Sequence, residues 1–141
     1  YFLLNKYKIN SNLYKVIESD HKDIPLLIKS ISVGIFFPKP GYYLKGYFPT
    51  KLGEFLAAGK PIITSRINDN IDNIFNDFPI SLIIDNNNFD NIKDILVNLD
   101  NLIKQPNIKS ICNKAALKYF SLEKGASKYI EVYNELLSLN K

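Results

Sequence analysis

Two apolar runs, Ser32-Val33-Gly34-Ile35-Phe36-Phe37 and Ile62-Ile63-Thr64, stand on either side of a helical pattern and constrain this chain more than any other feature. A strand covered on both faces reads as a continuous apolar run, whereas a strand with one wet face alternates. Between the runs, Leu52, Phe55, Leu56 and Gly59 follow the i, i+3, i+4, i+7 spacing that turns one helical stripe toward a core. Gly59 is placed as a C-terminal stop, and Lys60-Pro61 prevents continuation. The unit is helix, tight turn, buried strand, with a second apolar run ahead of it, as in a parallel sheet.

The remaining pattern extends this unit in both directions. Short apolar runs at Tyr1 to Leu4, Tyr14 to Ile17 and Ser81 to Ile84 read as further strands. A short helix is expected near Pro25, capped by Asp23 and facing the core with Leu26, Leu27 and Ile31. Ile71, Ile74, Phe75 and Phe78 lie at helical spacing, and Pro79 ends that segment. After an Asp85-Asn86-Asn87-Asn88 turn, Phe89, Ile92, Ile95, Leu96, Leu99 and Ile103 form an apolar stripe as far as Pro106. Ile108, Ile111, Cys112, Ala115 and Tyr119 form the next. A last helix starts at Ser121 as N-cap, with Glu123 in its first turn and Ala126, Tyr129, Ile130, Tyr133 and Leu137 directed inward. The fold class expected is α/β: a Rossmann-like parallel sheet with helices on both faces and a helical C-terminal part.

The polar residues of the central unit mark the candidate site. In open α/β sheets, ligands bind where a strand runs through a loop into a helix N-terminus, whose free N–H groups and positive dipole end favour phosphate. Here that path is the loop from Pro38 to Phe48, which holds two prolines and two glycines. Thr50 and Lys51 lie in the first helical turn, where a hydroxyl and an ammonium supplement the backbone donors on a diphosphate. Glu54, one turn deeper, is placed to accept hydrogen bonds from vicinal hydroxyls such as those of a ribose.

The segment SVGIFFPKPGYYLKGYFPTKLGEFLAAGKPIITS resembles the core of the C-terminal, donor-binding domain of GT-B glycosyltransferases of the retaining group 1 type. A loop, a Lys-x-x-Glu helix and a Gly-x-Pro turn recur there in this order. The final FSLEKGASKYIEVYNELL is similar to that family's closing helix. The resemblance implies one half of a GT-B fold that binds a nucleoside diphosphate sugar, a UDP-sugar or GDP-sugar. Glu54 would hold the ribose, Gly46, Tyr47, Phe48, Pro49, Thr50 and Lys51 would face the diphosphate or the sugar, and the loop with His21 and Asp23 would lie near the base. It implies no cofactor and no metal, and names no catalytic residue. Two departures stand out. The family's usual motif is Glu-x7-Glu, but Gly46 stands eight positions before Glu54 with Lys45 beside it. These domains also open with a strand and a basic pair that nothing before Tyr1 supplies.

Residues 1–141 are accordingly expected to be one domain, truncated at its N-terminus, of an enzyme of hexosyltransferase type involved in polysaccharide biosynthesis. An N-terminal acceptor-binding domain would be the missing partner, and the chain alone is expected not to catalyse transfer. Two other readings fit the pattern: a non-catalytic Rossmann-like binding or interaction module, or half of a GT-B type nucleotide-sugar epimerase. A phospho-accepting receiver domain fits poorly, because Phe37-Pro38 rather than an aspartate ends its strand.

Composition narrows the classes. The net charge of +4 comes from scattered lysines with a single arginine, Arg66, which argues for a solvated surface rather than nucleic-acid binding. The lone cysteine permits no internal disulfide and falls on an apolar stripe, as in a reducing cytosol. One histidine and one cysteine do not make a metal cluster. No apolar run approaches the roughly 18 residues of a membrane span. The expected place is the cytoplasm, with peripheral attachment to a membrane left open.

Overall fold

The computed structural model describes residues 2–85 and 90–139. Its centre is a three-stranded parallel sheet in the order β1 (Gly34–Phe36), β2 (Ile62–Thr64), β3 (Ser81–Ile83). Helix α3 (Thr50–Ala57) connects β1 to β2, and α4 (Asp69–Asp77) connects β2 to β3. The register pairs Gly34 with Ile62 and Ile62 with Ser81. Each strand lasts only three residues, so the ladder is extended by Gly34 N–H donating to Pro61 C=O and Ile84 N–H to Thr64 C=O. β2 is buried along its whole length, with Ile62 and Thr64 on one face and Ile63 on the other, as its uninterrupted apolar sequence requires.

Further helices precede and follow the sheet in the chain. Before it come α1 (Phe2–Lys6) and α2 (Ile24–Ser30), and after it α5 (Ile92–Lys104), α6 (Ile108–Tyr119) and α7 (Leu122–Leu139). This is a Rossmann-like α/β arrangement with a helical C-terminal part. Its core joins Leu52 and Leu56 of α3, Ile62 of β2, Ile71 and Ile74 of α4, and Cys112, Ala115 and Ala116 of α6. Small residues on α6 let it lie close against α3. A second tie holds α6 to α4, where Lys118 and Tyr119 both donate to the Asp77 carboxylate.

The structure corrects several expectations. Leu26 of α2, Ile35 of β1 and Leu96 of α5 are more than half exposed, and neither α2 nor α5 buries a residue completely. Residues 2–6 form a helical turn, not a strand, which ends at Lys8 with φ +51° and Ile9 N–H donating to Leu4 C=O. A run of three or four apolar residues does not by itself distinguish helix from strand, and among the described residues no strand pairs with this one. Residues 14–17 are extended but unpaired, with Val16 and Ile17 about half exposed. Asp23 precedes α2 without making a side-chain capping bond; its own segment, His21–Asp23, is a 3-10 turn. The stripe on α7 is not inward: Tyr129, Ile130, Tyr133 and Leu137 are all more than half exposed. Ser121 does cap that helix, accepting from Lys124 N–H at 3.4 Å. The asparagine turn at 86–88 and Phe89 fall outside the described residues.

Cys112 is completely buried, and burial pushes its thiol up to about 12. An unfolded thiol ionises near about 8.5, so above that pH the unfolded chain releases a proton that the folded chain retains. The contribution of the neutral thiol is complete below this point and is lost as pH rises. Chemical denaturation should therefore show wild-type stability falling relative to Cys112→Ala between about pH 9 and 11, by up to about 1.4 kcal/mol per pH unit. A pH-independent difference between the two proteins would contradict this.

Candidate functional site

The site is built on α3. Its core stripe, Leu52 and Leu56, is buried, and Phe55 lies flat over Gly34 of β1, where an added Cβ would come within 2.7 Å of the ring. The helix ends as its sequence demands. Gly59 adopts φ +74°, its N–H donates to Leu56 C=O, and Lys60 N–H reaches back to Phe55 C=O, which is the paired bonding of a Schellman stop. Asn113 of α6 donates to Leu56 C=O at 3.1 Å and Ala57 C=O at 2.8 Å, satisfying the last carbonyls. The other end is open. Pro49 occupies the N-cap position and offers no side-chain acceptor, so the first-turn N–H groups have no side-chain cap.

Glu54 stands where two concavities meet. A groove of about 700 Å³ has Thr50, Gly53, Glu54 and Ala57 on one wall, with Asn113, Ala116 and Phe120 through Glu123 on the other. A smaller slot of about 330 Å³ is lined by Glu54, Ala57 and Ala58 opposite His21, Ile24, Pro25, Ile28 and Lys29. His21 and Glu54, which are far apart in sequence, thus share one cavity, and Asp23 does not line it. Lys51 and Glu54 lie on one face of α3 as their spacing requires, and Lys51 Nζ sits 3.2 Å from Glu54 Oε2. Lys51 lines neither concavity. Its pair with Glu54 is exposed on both sides, and such pairs contribute little, about 0.2–0.5 kcal/mol.

The loop ahead of α3 is held by its own aromatic rings. Residues Tyr42–Gly46 form a 3-10 segment, Tyr47 stacks on Phe36 at 6.2 Å and meets Tyr43 edge-on at 5.9 Å, and Phe48 rests on Phe120 at 4.8 Å. Tyr42 is left 83% exposed, with Lys45 Nζ 4.9 Å above its ring. Gly46 is exposed and open, with no heavy atom within 4 Å of where its Cβ would be. This loop therefore divides: Tyr47 packs down, while Tyr42 and Gly46 face outward.

Sequence reasoning missed several residues that shape the site. Gly53 lets Phe120 lie against α3; a Cβ there would come within 2.7 Å of the ring. Asn68 caps α4 by accepting from Ile71 N–H at 3.1 Å, and its amide also donates to Leu44 C=O at 2.7 Å and Tyr47 C=O at 2.8 Å. An asparagine just ahead of Asp69 and Asp72 carries the ordinary signature of a cap, but its reach to the loop had no local signal. Arg66, just after β2, binds Asp85 at 2.9 Å and Asp72 at 3.1 Å. Its guanidinium is held more firmly protonated by the hydrogen bond to Asp72 and the charge of Asp85, and is already engaged by two carboxylates. Among the described residues no group of three His, Cys, Asp or Glu side chains is placed to hold a metal ion, and no helix is long and apolar enough to cross a membrane.

Gly53→Ala tests the α3 and α6 contact. Alanine favours a helix over glycine by about 1 kcal/mol, whereas overpacking costs about 1–3 kcal/mol. The variant is expected to be less stable than the wild type by denaturant titration, with the Phe48 and Phe120 rings separated. A more stable variant would show that the contact yields freely.

Comparison with known proteins gives a partial match. No protein-family model matches the chain, and no solved structure matches it. Over 49 residues, 35% of this chain, it is 41% identical to a Bacillus subtilis (strain 168) protein named "Putative teichuronic acid biosynthesis glycosyltransferase TuaH". The match covers 12% of that relative's length. This similarity supports a glycosyltransferase relationship for the chain.

Proposed function

We propose that this chain is the nucleotide-sugar-binding domain of a glycosyltransferase, one half of a GT-B fold, in which α3 carries the donor. The observation that carries this reading is the order of features along one face of α3. An uncapped helix start at Thr50 comes first, then the Glu54 carboxylate, then a slot between Ala57, Ala58 and His21. At 1.5 Å per residue, Thr50, Glu54 and Ala58 are about 6 Å apart in sequence along the axis. A nucleotide presents diphosphate, ribose and base in this order. The similarity to a named glycosyltransferase supports the same class.

Each feature has a physical role in this reading. The first-turn N–H groups and the positive end of α3 attract the diphosphate, with Thr50 Oγ1 and Lys51 as added donors and Gly46 to Pro49 forming the approach. Lys51 reaches it by leaving Glu54, an exchange that costs little because the pair is exposed. Glu54, released, accepts both ribose hydroxyls. The base enters the slot formed by Ile24, Pro25 and Ile28, whose apolar walls leave His21 and Lys29 as polar handles. As the sugar departs, negative charge grows on the nucleoside diphosphate, and prearranged N–H donors and Lys51 stabilise it without a metal. The acceptor belongs to a further domain, as does any general base. The relative is named for teichuronic acid biosynthesis, which favours a polysaccharide as the class of product.

Glu54→Gln tests this reading. It preserves size but replaces an anionic two-oxygen acceptor with one acceptor oxygen, removing a charge-assisted bond of about 1.5–3 kcal/mol, or roughly ten- to a hundred-fold in affinity. Calorimetric titration with UDP and GDP should show that loss, with folding stability changed by no more than about 0.5 kcal/mol. The 2′-deoxy form of the bound nucleotide should bind the wild type more weakly, and that penalty should shrink in the variant. Equal binding of ribo and deoxy forms by the wild type would remove Glu54 from the site.

A further inference from the structure

We propose that Asn68 is a positioning residue for the loop that faces the diphosphate, setting its shape from the N-terminus of α4; this role rests on the nucleotide-sugar reading above. The geometry is specific. A side-chain amide has two N–H donors and one carbonyl acceptor. In Asn68 both donors and the acceptor oxygen are engaged: Nδ2 donates to Leu44 C=O at 2.7 Å and to Tyr47 C=O at 2.8 Å, while Oδ1 accepts from Ile71 N–H at 3.1 Å. The first two carbonyls lie 24 and 21 residues away in sequence and bracket Lys45 and Gly46. One side chain therefore fixes both ends of the short segment that leads into Phe48, Pro49 and the open start of α3.

The loop's other polar restraints come from within it. Tyr43 OH donates to Lys39 C=O, and the 3-10 segment Tyr42–Gly46 is flanked by Leu44 N–H to Gly41 C=O at 3.1 Å and Tyr47 N–H to Leu44 C=O at 3.2 Å, both toward the long end of the usual range. The Leu44 carbonyl is shared by the last of these and by Asn68, so loss of the amide loosens the 3-10 segment as well. The rings of Tyr43 and Tyr47 hold the loop to Phe36, but ring contacts fix position less sharply than directed bonds. Asn68 supplies that direction, and it does so from the element that follows β2 rather than from the loop itself.

Asn68→Asp separates the two functions of this side chain. A carboxylate caps a helix as well as an amide does, so α4 keeps its cap, but both donations to the loop are lost and two carbonyls then face an anion. Asn68→Ser, which also caps but is too short to reach the loop, guards against misfolding caused by that repulsion. In the 141-residue chain, amide hydrogen exchange at Leu44 and Tyr47 should accelerate in both variants. Affinity for UDP or GDP should fall about ten-fold, the scale of two neutral hydrogen bonds, while affinity for the corresponding nucleoside stays unchanged. If the wild type binds nucleotide and the variants bind it equally well, the positioning role is overturned and the functional reading stands. If nucleoside and nucleotide affinities fall together, Asn68 acts only on general stability and the role is overturned likewise. If the wild type binds neither UDP nor GDP, the functional reading fails and this role fails with it.

Discussion

An eight-residue helix is too short to persist in water on its own, yet every candidate ligand contact on the sheet side of this chain depends on α3. Its stability comes from outside it. Leu52 and Leu56 are sealed into the core, Gly53 admits the Phe120 ring at van der Waals range, and Asn113 takes the terminal carbonyls. Because the underside is so completely used, the upper face is free to be polar. Thr50, Lys51 and Glu54 lie outside the buried core, and side chains outside the core are the ones available for a ligand.

The same logic explains why the two ends of α3 differ. The C-terminus is closed twice over, by the Gly59 turn with its Gly59 and Lys60 backbone bonds and by Asn113. The N-terminus is left without a side-chain cap because Pro49 precedes it. A helix that is rigidly anchored at one end and unsatisfied at the other presents its dipole and free N–H groups to whatever anion approaches. Arg66 sits nearby in the chain yet is bound to both Asp72 and Asp85, whereas Lys51 has a single exposed pair with Glu54.

Much of this arrangement was legible in the residues. Apolar runs bounded by turn residues located β1, β2 and β3, although only β2 is buried along its whole length, and the 3.6 period located α3 through α6. The Lys51 and Glu54 face followed from spacing alone. The failures have a common cause. Residues 2–6 and 14–17 carry apolar side chains without neighbours that demand a strand, and the α7 stripe, although periodic, faces no packed partner among the described residues. Periodicity reports that a face is apolar; it does not say what covers it. The contacts of Asn68, Gly53 and Asn113 were invisible for a different reason, since each joins elements brought together only by the fold.

The central claim is that a nucleoside diphosphate lies along the exposed face of α3, and amide chemical-shift mapping during titration with UDP and with GDP tests it most directly. The account predicts saturable shifts centred on Thr50, Lys51 and Glu54 and extending to His21 and Ile24 across the slot. Shifts confined to the cavity beside β3 and α5, around Asp85, Asn91 and Asp94, or the absence of any shift at Glu54, would contradict it.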